Sequence, residues 1–539
     1  WLGKFKIGGV GFGPVTGSLL AGVLIGNFWH VPVSDTAKSL LFLMFMYGIG
    51  FSAGPGFVRG VRDGGWRWVA LAVWMPVAGL MTTYALARLL HLDLGYAAGL
   101  MSGSLTESPV IGTASEAIRS LALSEEEKHR LIAQIPVADA LTYVFGTFGV
   151  IFFCSYVGPL LLRIDVKAEA MALEKQMGFE RQSPGIASAW RMFEMRAYEL
   201  LEGSLVIGKT IEQVESMVAD ERIFVERVRR GSEIIEASPG LVLQQGDVVA
   251  AIGHHASLIR AVGDRNREVF DRPLLDVPSA TFDVVLRNRK VAGKPLQQVR
   301  DETPDVRGVF VKGIRRGTEQ IPVMPGTRLM VGDVLTLHGL EPAVRRVWPS
   351  LGELLPLGST TNYMALGLAI FAGALLGVVV AFPAGGVKIA LGSSVATLLV
   401  GLAMGWRNST HPTFGALSAD AAELMKSIGL AAFVAMIGLK AGPVFVQALQ
   451  DIGLTVFLAG IVVTSVPLVT GLLFGRHVLG LNPILLLGAL AGAQTMTAGL
   501  AALQERSESP VAVIGYSSTV AFGHVLLSIG GTVLVWMLA

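Results

Sequence analysis

Two stretches of the chain place hydroxyl and amide side chains among glycines inside apolar sequence. One is Gly99–Pro109 (GLMSGSLTESP) and the other is Gly488–Ala498 (GALAGAQTMTA), and they align Thr106 with Thr495. Where a membrane helix is interrupted, such donors join the unpaired N–H groups and positive dipole end of a helix N-terminus, and together they can bind an anion. The candidate binding residues are Ser102, Ser104, Thr106, Glu107 and Ser108 in the first stretch and Gln494, Thr495 and Thr497 in the second.

The alternative for these side chains is structural, because serine and threonine also hold membrane helices together. For one isolated residue that alternative is favoured, whereas two copies at matching positions favour a binding site. Two acids belong to the same region: Glu107 within the first stretch and Asp139 in the apolar run that follows it. Each can carry a coupling proton or make a satisfied polar contact, and His524 is expected to pack or to hydrogen-bond.

Lys440 lies inside an apolar run that also carries a helix breaker, Phe433–Pro443. Burying a lysine in lipid costs about 3 kcal/mol, so its side chain should face a cavity. There it can serve as a countercharge for a substrate carboxylate. The alternative is that Lys440 extends to the membrane surface.

A glycine-proline phrase also occurs twice. Ile49–Val58 (IGFSAGPGFV) returns as Ile437–Val446 (IGLKAGPVFV), with a polar segment between the copies. Paired apolar halves with interrupted segments at matching positions are typical of secondary transporters, whose substrate site lies where the broken segments meet. Helix breaks or hinges are therefore expected at Gly54, Pro55, Pro109, Gly442 and Pro443.

The composition predicts a membrane protein without nucleic-acid, metal or cofactor binding. Of 539 residues, 52% are hydrophobic and 16% are charged, against about 25% charged in soluble domains. The net charge of +2 and the lone Cys154 favour neither nucleic acid nor a disulfide, and no phosphate-binding loop of an ATPase is present. We expect no enzyme active site. Predicted spans are Gly11–Phe28, Leu40–Phe57, Trp68–Leu90, Ile135–Leu162, Tyr363–Phe382, Gly386–Trp406, Ile428–Val446, Leu454–Phe474 and Val511–Leu538.

Basic residues predict how the chain crosses the membrane. Arg59, Arg62 and Arg67 follow the first glycine-proline phrase, whereas no basic residue follows the second before residue 453. Because basic loops stay on the cytoplasmic side, the two phrases should leave the membrane on opposite faces, which makes the repeat inverted. Both chain ends are then outside and the middle is inside. The second half has one extra apolar run, so we expect a further helix before residue 1.

The polar middle of the chain is itself duplicated. It separates membrane repeats at residues 1–166 and 357–539, and within residues 167–356 the sequences VIGKTIEQV and VAGKPLQQV begin two copies. Short β-like runs between turn residues predict two small α+β modules, at about 194–270 and 280–350. The predicted fold is thus an α-helical membrane transporter of two inverted repeats with a soluble insert. Arg229, Arg230, Arg315 and Arg316 can hold an anionic regulator or lie on solvated turns.

With both repeats in view, nearly the whole chain resembles the aspartate–alanine exchanger family. The resemblance depends on the two glycine-proline phrases, the two Gly-x-x-Thr stretches and a central pair of modules similar to TrkA-C modules of potassium-transport regulators. It implies a homodimeric carrier of the bacterial inner membrane that exchanges small anions such as aspartate against alanine, or dicarboxylates. The runner-up is a ligand-regulated ion channel or ion transporter, although no potassium-selectivity sequence is present. A membrane-bound sensor is a third, weaker alternative.

Overall fold

The computed structural model of this chain is mostly helical and carries two five-stranded antiparallel sheets. It describes residues 6–7, 10–11, 13–29, 31–62, 65–177, 193–217, 223–254, 258–259, 262, 265–277, 279–302, 309–316, 319–355, 361–384, 387–390, 392–411 and 415–539. The helices are α1 (Gly13–Phe28), α2 (Asp35–Arg62), α3 (Trp66–Leu89), α4 (Leu94–Ser104), α5 (Pro109–Ser120), α6 (Glu125–Phe152), α7 (Gly158–Leu162), α8 (Val166–Gln176), α9 (Ile211–Glu215), α10 (Arg272–Leu275), α11 (Leu296–Glu302), α12 (Glu341–Leu351), α13 (Tyr363–Val379), α14 (Ser393–Thr410), α15 (Ala419–Leu473), α16 (Pro483–Ala493), α17 (Thr497–Ser507) and α18 (Ala512–Leu538).

Six helical stretches among these residues are long and apolar enough to cross a membrane. Each predicted span overlaps a helix, although the one predicted to begin at Gly386 becomes helical only at Ser393. The expected domain boundary at residue 357 lies outside the described residues. The six stretches are Asp35–Val58, Trp66–Leu89, Glu125–Leu162, Asp420–Gly442, Leu449–Val478 and Ala512–Leu538.

The glycine-proline phrases do not interrupt their helices, so this part of the prediction is wrong. α2 runs through Gly54–Pro55, and α15 runs through Gly442–Pro443 as part of a 55-residue helix. Membrane helices tolerate an internal proline because neighbouring groups satisfy the freed carbonyl. α2 ends at Arg62, before residues 63–65 (DGG), whereas the matching residues 451–453 (DIG) are helical and lie within α15.

Glycines instead let helices of the two halves cross at backbone contact. α1 packs against α15, where a Cβ atom at Gly22 would lie 2.3 Å from the carbonyl oxygen of Ala435. α2 packs against α14, where a Cβ atom at Gly50 would lie 2.1 Å from the carbonyl oxygen of Leu398. No side chain fits at these separations, so both crossings require glycine. Each crossing joins one helix of the first half to one of the second.

Besides these crossing helices, each half contains a pair of short helices. α4 and α5 have 11 and 12 residues, and α16 and α17 have 11 each. At 1.5 Å per residue each spans only about half of the ~30 Å hydrocarbon core. Pro109 begins α5, as the predicted break there requires. Gly103 and Gly492 bring α4 against α6 and α16 against α18, where their Cβ atoms would lie 2.4 Å from Asp139 O and 2.5 Å from Tyr516 O.

The strands of the polar middle form two sheets with the same strand order. In each sheet, the five strands, counted along their own segment of the chain, lie in the order third, second, fourth, first and fifth. The amide of Gly326, in the second sheet's segment, donates to the carbonyl of Met177 after α8 at 2.7 Å. The strands are β3 (Phe193–Glu199), β4 (Phe224–Arg230), β5 (Glu233–Glu236), β6 (Val248–His254), β7 (Arg267–Val269), β8 (Ser279–Leu286), β9 (Val309–Arg316), β10 (Glu319–Ile321), β11 (Val334–Leu340) and β12 (Gly352–Leu354), besides the two-stranded pairs β1 (Lys6–Ile7) with β2 (Val10–Gly11) and β13 (Ala381–Ala384) with β14 (Val387–Ala390).

Candidate functional site

The breaks between α4 and α5 and between α16 and α17 meet each other. Thr106 Oγ1 donates to the carbonyl of Gln494 at 2.9 Å, and Thr495 Oγ1 donates to Glu107 Oε2 at 2.9 Å. Each break therefore supplies one hydroxyl donor to the other. The sequence alignment of Thr106 with Thr495 predicted equivalent positions, and the structure adds that the two positions lie face to face.

Both threonines have a left-handed backbone, with φ of 55° at Thr106 and 54° at Thr495. The surrounding bonds form the usual helix-ending motif: Glu107 N donates to Ser102 O at 3.0 Å, and Met496 N donates to Ala491 O at 2.9 Å. Glycine normally occupies the left-handed position of this motif, and a β-branched residue there is strained by about 1–2 kcal/mol. The hydroxyl bonds across the two breaks offset that cost, which explains threonine at both positions.

The Glu107 carboxylate is almost fully enclosed, at 1% exposure. Besides Thr495, it accepts from Ser528 Oγ at 3.0 Å and lies 3.2 Å from His524 Nδ1. His524 and Ser528 are one turn apart on α18, so one face of that helix serves this carboxylate. Sequence reasoning missed Ser528; the spacing of His524 and Ser528 in an apolar helix was the available signal.

Each break is also bonded to the helix that packs behind it. Ser102 Oγ donates to Asp139 Oδ1 on α6 at 2.6 Å. In the second half, the Thr497 hydroxyl, after the break, lies 3.0 Å from the Tyr516 hydroxyl on α18. Both contacts fix the position of a short helix relative to a long one.

Ser104 and Gln494 lie deeper, against α15. Thr464 Oγ1 donates to the carbonyl of Ser104 at 2.8 Å, and Gln494 Nε2 donates to the carbonyl of Thr464 at 3.5 Å. Ser104 Oγ and Gln494 Oε1 are buried without a hydrogen-bond partner among the described residues. Both side chains therefore lie behind the breaks, on the side away from the cavity described next.

A cavity of about 560 Å³ opens beside the breaks. It brings together five predicted site residues and Pro109, whereas Ser102, Ser104 and Gln494 do not line it. An ion pair of Lys426 with Glu423 at 2.6 Å lies on its α15 wall, and sequence reasoning missed both residues. The polar and charged lining is Ser52, Thr106, Glu107, Ser108, Tyr143, Arg316, Glu319, Glu423, Lys426, Ser427, Thr495, Thr497, Tyr516, Ser517, Ser518 and His524.

Lys440 does not reach this cavity. Its Nζ lies 2.8 Å from Asp35 Oδ1, at the start of α2. The same carboxylate oxygen lies 2.8 Å from Lys38 Nζ and 3.4 Å from Arg119 Nη2 at the end of α5. This cluster joins the ends of α2, α5 and α15, and the charge that balances Lys440 is an aspartate of the protein.

Three of the four arginines considered for a regulatory anion are held in internal ion pairs. Arg229 pairs with Asp271, and its guanidinium holds the pKa of that carboxyl below its usual value. Arg230 pairs with Asp247 at 2.8 Å, and Arg316 pairs with Asp333 at 2.7 Å. Arg315, on β9, is opposite Gln320 and Val334 in the second sheet. These ion pairs stabilise the sheets, and they occupy the guanidinium groups of Arg229, Arg230 and Arg316.

Arg316→Ala should destabilise the second sheet strongly. The Arg316 and Asp333 side chains are 8% and 0% exposed, and removing one partner of a buried pair costs about 3–5 kcal/mol. Trypsin digestion of the purified full chain in rising urea measures the effect as earlier cleavage between residues 279 and 355. Arg300→Ala is the control, because Arg300 and Asp301 are each 52% exposed and their pair contributes under about 1 kcal/mol. Equal urea midpoints for the two variants would contradict a structural role for Arg316.

Comparison with known proteins agrees with a membrane permease. A family described as "Predicted Permease Membrane Region" of the aspartate–alanine exchanger type matches residues 1–159 and 365–536. An uncharacterized transporter of Bradyrhizobium diazoefficiens is 45% identical over 92% of this chain and 95% of its own length. Uncharacterized transporters of Shewanella oneidensis and Zymomonas mobilis are 36% and 32% identical, over 100% and 99% of this chain and 96% and 95% of their own lengths. No solved structure matches significantly.

The membrane region matched by the family includes both helix breaks, the cavity helices and the glycine crossings. Six helical stretches can cross a membrane in the described residues. The chain therefore belongs to the aspartate–alanine exchanger family of permeases, and it is a multi-pass membrane transport protein.

Proposed function

We propose that the protein is a secondary antiporter that exchanges small anionic metabolites across the bacterial inner membrane. The family suggests amino acids such as aspartate against alanine, or dicarboxylates, as substrates. The observation that carries the proposal is the meeting of the two helix breaks at the cavity through Thr106 and Thr495.

Anion binding is supported by the helix N-termini and hydroxyl side chains that line the cavity. Ser108 and Pro109 begin α5 and Thr497 begins α17, and all three line the cavity. The N-terminus of each helix carries the positive end of its dipole, which favours a carboxylate there. Hydroxyl side chains of both halves, Ser108 of the first and Ser518 of the second, also line the cavity. A small metabolite can thus bind to both halves at once.

An inverted repeat accounts for the pairing of the two halves. Equivalent left-handed threonines, equivalent glycine crossings and equivalent contacts behind the breaks support two copies of one membrane unit. We propose that the insert, residues 167–356, is cytoplasmic and consists of two TrkA-C-like modules. A homodimer would supply the fixed scaffold against which the short helices move.

The contacts at the two ends of the site support a state that is open toward the insert. At the end away from the insert, Arg119 on α5 lies 3.4 Å from Asp35, and Glu116 on α5 accepts from the Ser394 amide of α14 at 3.0 Å. At the other end the cavity extends to Arg316 and Glu319 of the second sheet. Transport would exchange these two sets of contacts as the short helices shift against α1, α2, α14 and α15. We propose that the insert regulates the access of substrate to the cavity.

Counterflow in proteoliposomes tests the proposal. Vesicles loaded with unlabelled alanine, aspartate or succinate should accumulate the labelled partner transiently, since an obligate exchanger couples the two fluxes. Vesicles without internal substrate are the control and should take up almost none. Equal uptake by loaded and empty vesicles would contradict antiport, and a current carried by inorganic ions alone would favour a channel.

A further inference from the structure

We infer that Glu107 is a proton-binding site and that an anionic substrate binds to this transporter together with one proton. The inference rests on the proposed function, because it concerns the same cavity. It specifies the form in which the substrate is carried: a carboxylate anion plus H⁺.

The surroundings of Glu107 carry the inference. The carboxylate is 1% exposed, yet it belongs to the cavity lining beside Ser108 and Thr495. Among the described residues, no lysine or arginine nitrogen lies within ion-pair distance of it, and its one basic contact is His524. A substrate carboxylate at the same breaks would face a second, uncompensated negative charge.

Electrostatics then decides which protonation state binds an anion. Two unit charges about 5 Å apart in a site of intermediate dielectric repel enough to weaken binding about a hundredfold. A neutral Glu107 removes that repulsion. It also keeps its hydrogen bonds: Ser528 Oγ and Thr495 Oγ1 still donate to carboxyl oxygens, and the new O–H can donate to His524 Nδ1 when the ring carries its proton on Nε2.

His524 provides a route for the proton. Its side chain is 34% exposed and lines the cavity, and its Nδ1 lies 3.2 Å from Glu107 Oε2. A neutral ring that carries its proton on Nδ1 accepts a proton from hydronium in the cavity on Nε2 and passes its Nδ1 proton to the carboxylate. One proton from solution thus ends on Glu107, and the imidazole ends neutral, with its proton now on Nε2.

Other titratable groups around the site have partners of their own. Asp139, reached through Ser102, accepts from that hydroxyl, and Tyr516 is bonded to Thr497. Glu423 and Lys426 on α15 form an ion pair with each other. The remaining titratable groups that face the cavity are Tyr143 on α6 and, from the second sheet, Glu319 and the Asp333-paired Arg316.

The first test measures the KM for labelled aspartate in counterflow between about pH 5.5 and about pH 8, where aspartate stays a monoanion. The wild-type KM should rise with pH by up to about tenfold per pH unit, because a smaller fraction of the protein then carries the proton that binding requires. Glu107→Gln, which cannot ionise, should make the KM independent of pH. Glu423→Gln, a paired carboxylate in the same cavity, should retain the wild-type slope.

The second test uses the purified wild-type protein and does not depend on any variant. Adding aspartate to the protein in weakly buffered detergent solution at about pH 8 should remove protons from solution, up to one per aspartate bound. Binding without proton uptake, or a Glu107→Gln variant with the wild-type pH slope, would overturn the inference while antiport stands. Absence of counterflow with every anion tested would overturn the proposed function and the inference together.

Discussion

Gly50→Leu is expected to leave almost no folded transporter in the membrane. A Cβ atom at Gly50 would lie 2.1 Å from the carbonyl oxygen of Leu398 and 2.9 Å from the amide of Leu402. Both are backbone atoms of α14, so no rotamer change relieves the clash and the helices must separate. The resulting loss of about 5 kcal/mol or more is comparable with the whole stability of a typical domain. The yield of monodisperse protein in detergent measures it.

Gly367→Leu is the matched control. Gly367 lies in α13, and among the described residues no atom beyond the neighbouring backbone of its own helix lies within 4 Å of the position where its Cβ would be. Leucine is also a better helix former than glycine by about 0.8–1 kcal/mol. This variant should therefore be obtained at wild-type yield or better. If both glycines tolerate leucine equally, the close crossing of α2 and α14 is not what holds the halves together.

The second large effect is expected when the reciprocal hydroxyls are removed without changing shape. Thr495→Val deprives the enclosed Glu107 carboxylate of one donor, and Thr106→Val leaves the Gln494 carbonyl without its donor. A buried polar group left unpaired costs about 1–3 kcal/mol, so each variant should lower the exchange rate about tenfold to about a hundredfold. Initial rates of counterflow, normalised to folded protein, measure the loss.

Three further variants separate the causes of that loss. Thr106→Gly keeps the left-handed backbone at no steric cost, so a reduced rate there is caused by the missing side chain and not by backbone strain. Thr82→Val is the control, because Thr82 bonds only to Ala78 O of its own helix among the described groups. The double variant Thr106→Val with Thr495→Val should lose less than the product of the single losses, since both bonds join the same two breaks. Wild-type rates in both single variants would place the site elsewhere.

The copies in the sequence predicted the main features of the site. Aligning Thr106 with Thr495 identified both breaks, and Pro109 gave the first residue of α5. Local signals were sufficient there because a break depends on a few neighbouring residues. They failed at Gly54–Pro55, where the contact that explains the glycine lies in a helix of the other half.

Charged residues were harder to assign from sequence, because their partners are distant in the chain. Lys440 pairs with Asp35, which lies 405 residues earlier in the sequence. Arg316 pairs with Asp333, which lies 17 residues later. An apolar run marks a lysine as costly but does not identify the acid that neutralises it. For the same reason, the sequence did not identify Ser528 and His524 as the partners of Glu107.

The glycine crossings between the halves also constrain how this protein is made. Gly22 meets Ala435 and Gly50 meets Leu398, so α1 and α2 leave the ribosome long before their partners are synthesised. Until then their glycine faces contact lipid, and the soluble insert is translated while the membrane region is still incomplete. Assembly is therefore completed only after translation of α14 and α15, and a chain truncated within the insert would present unpaired helices to membrane quality control.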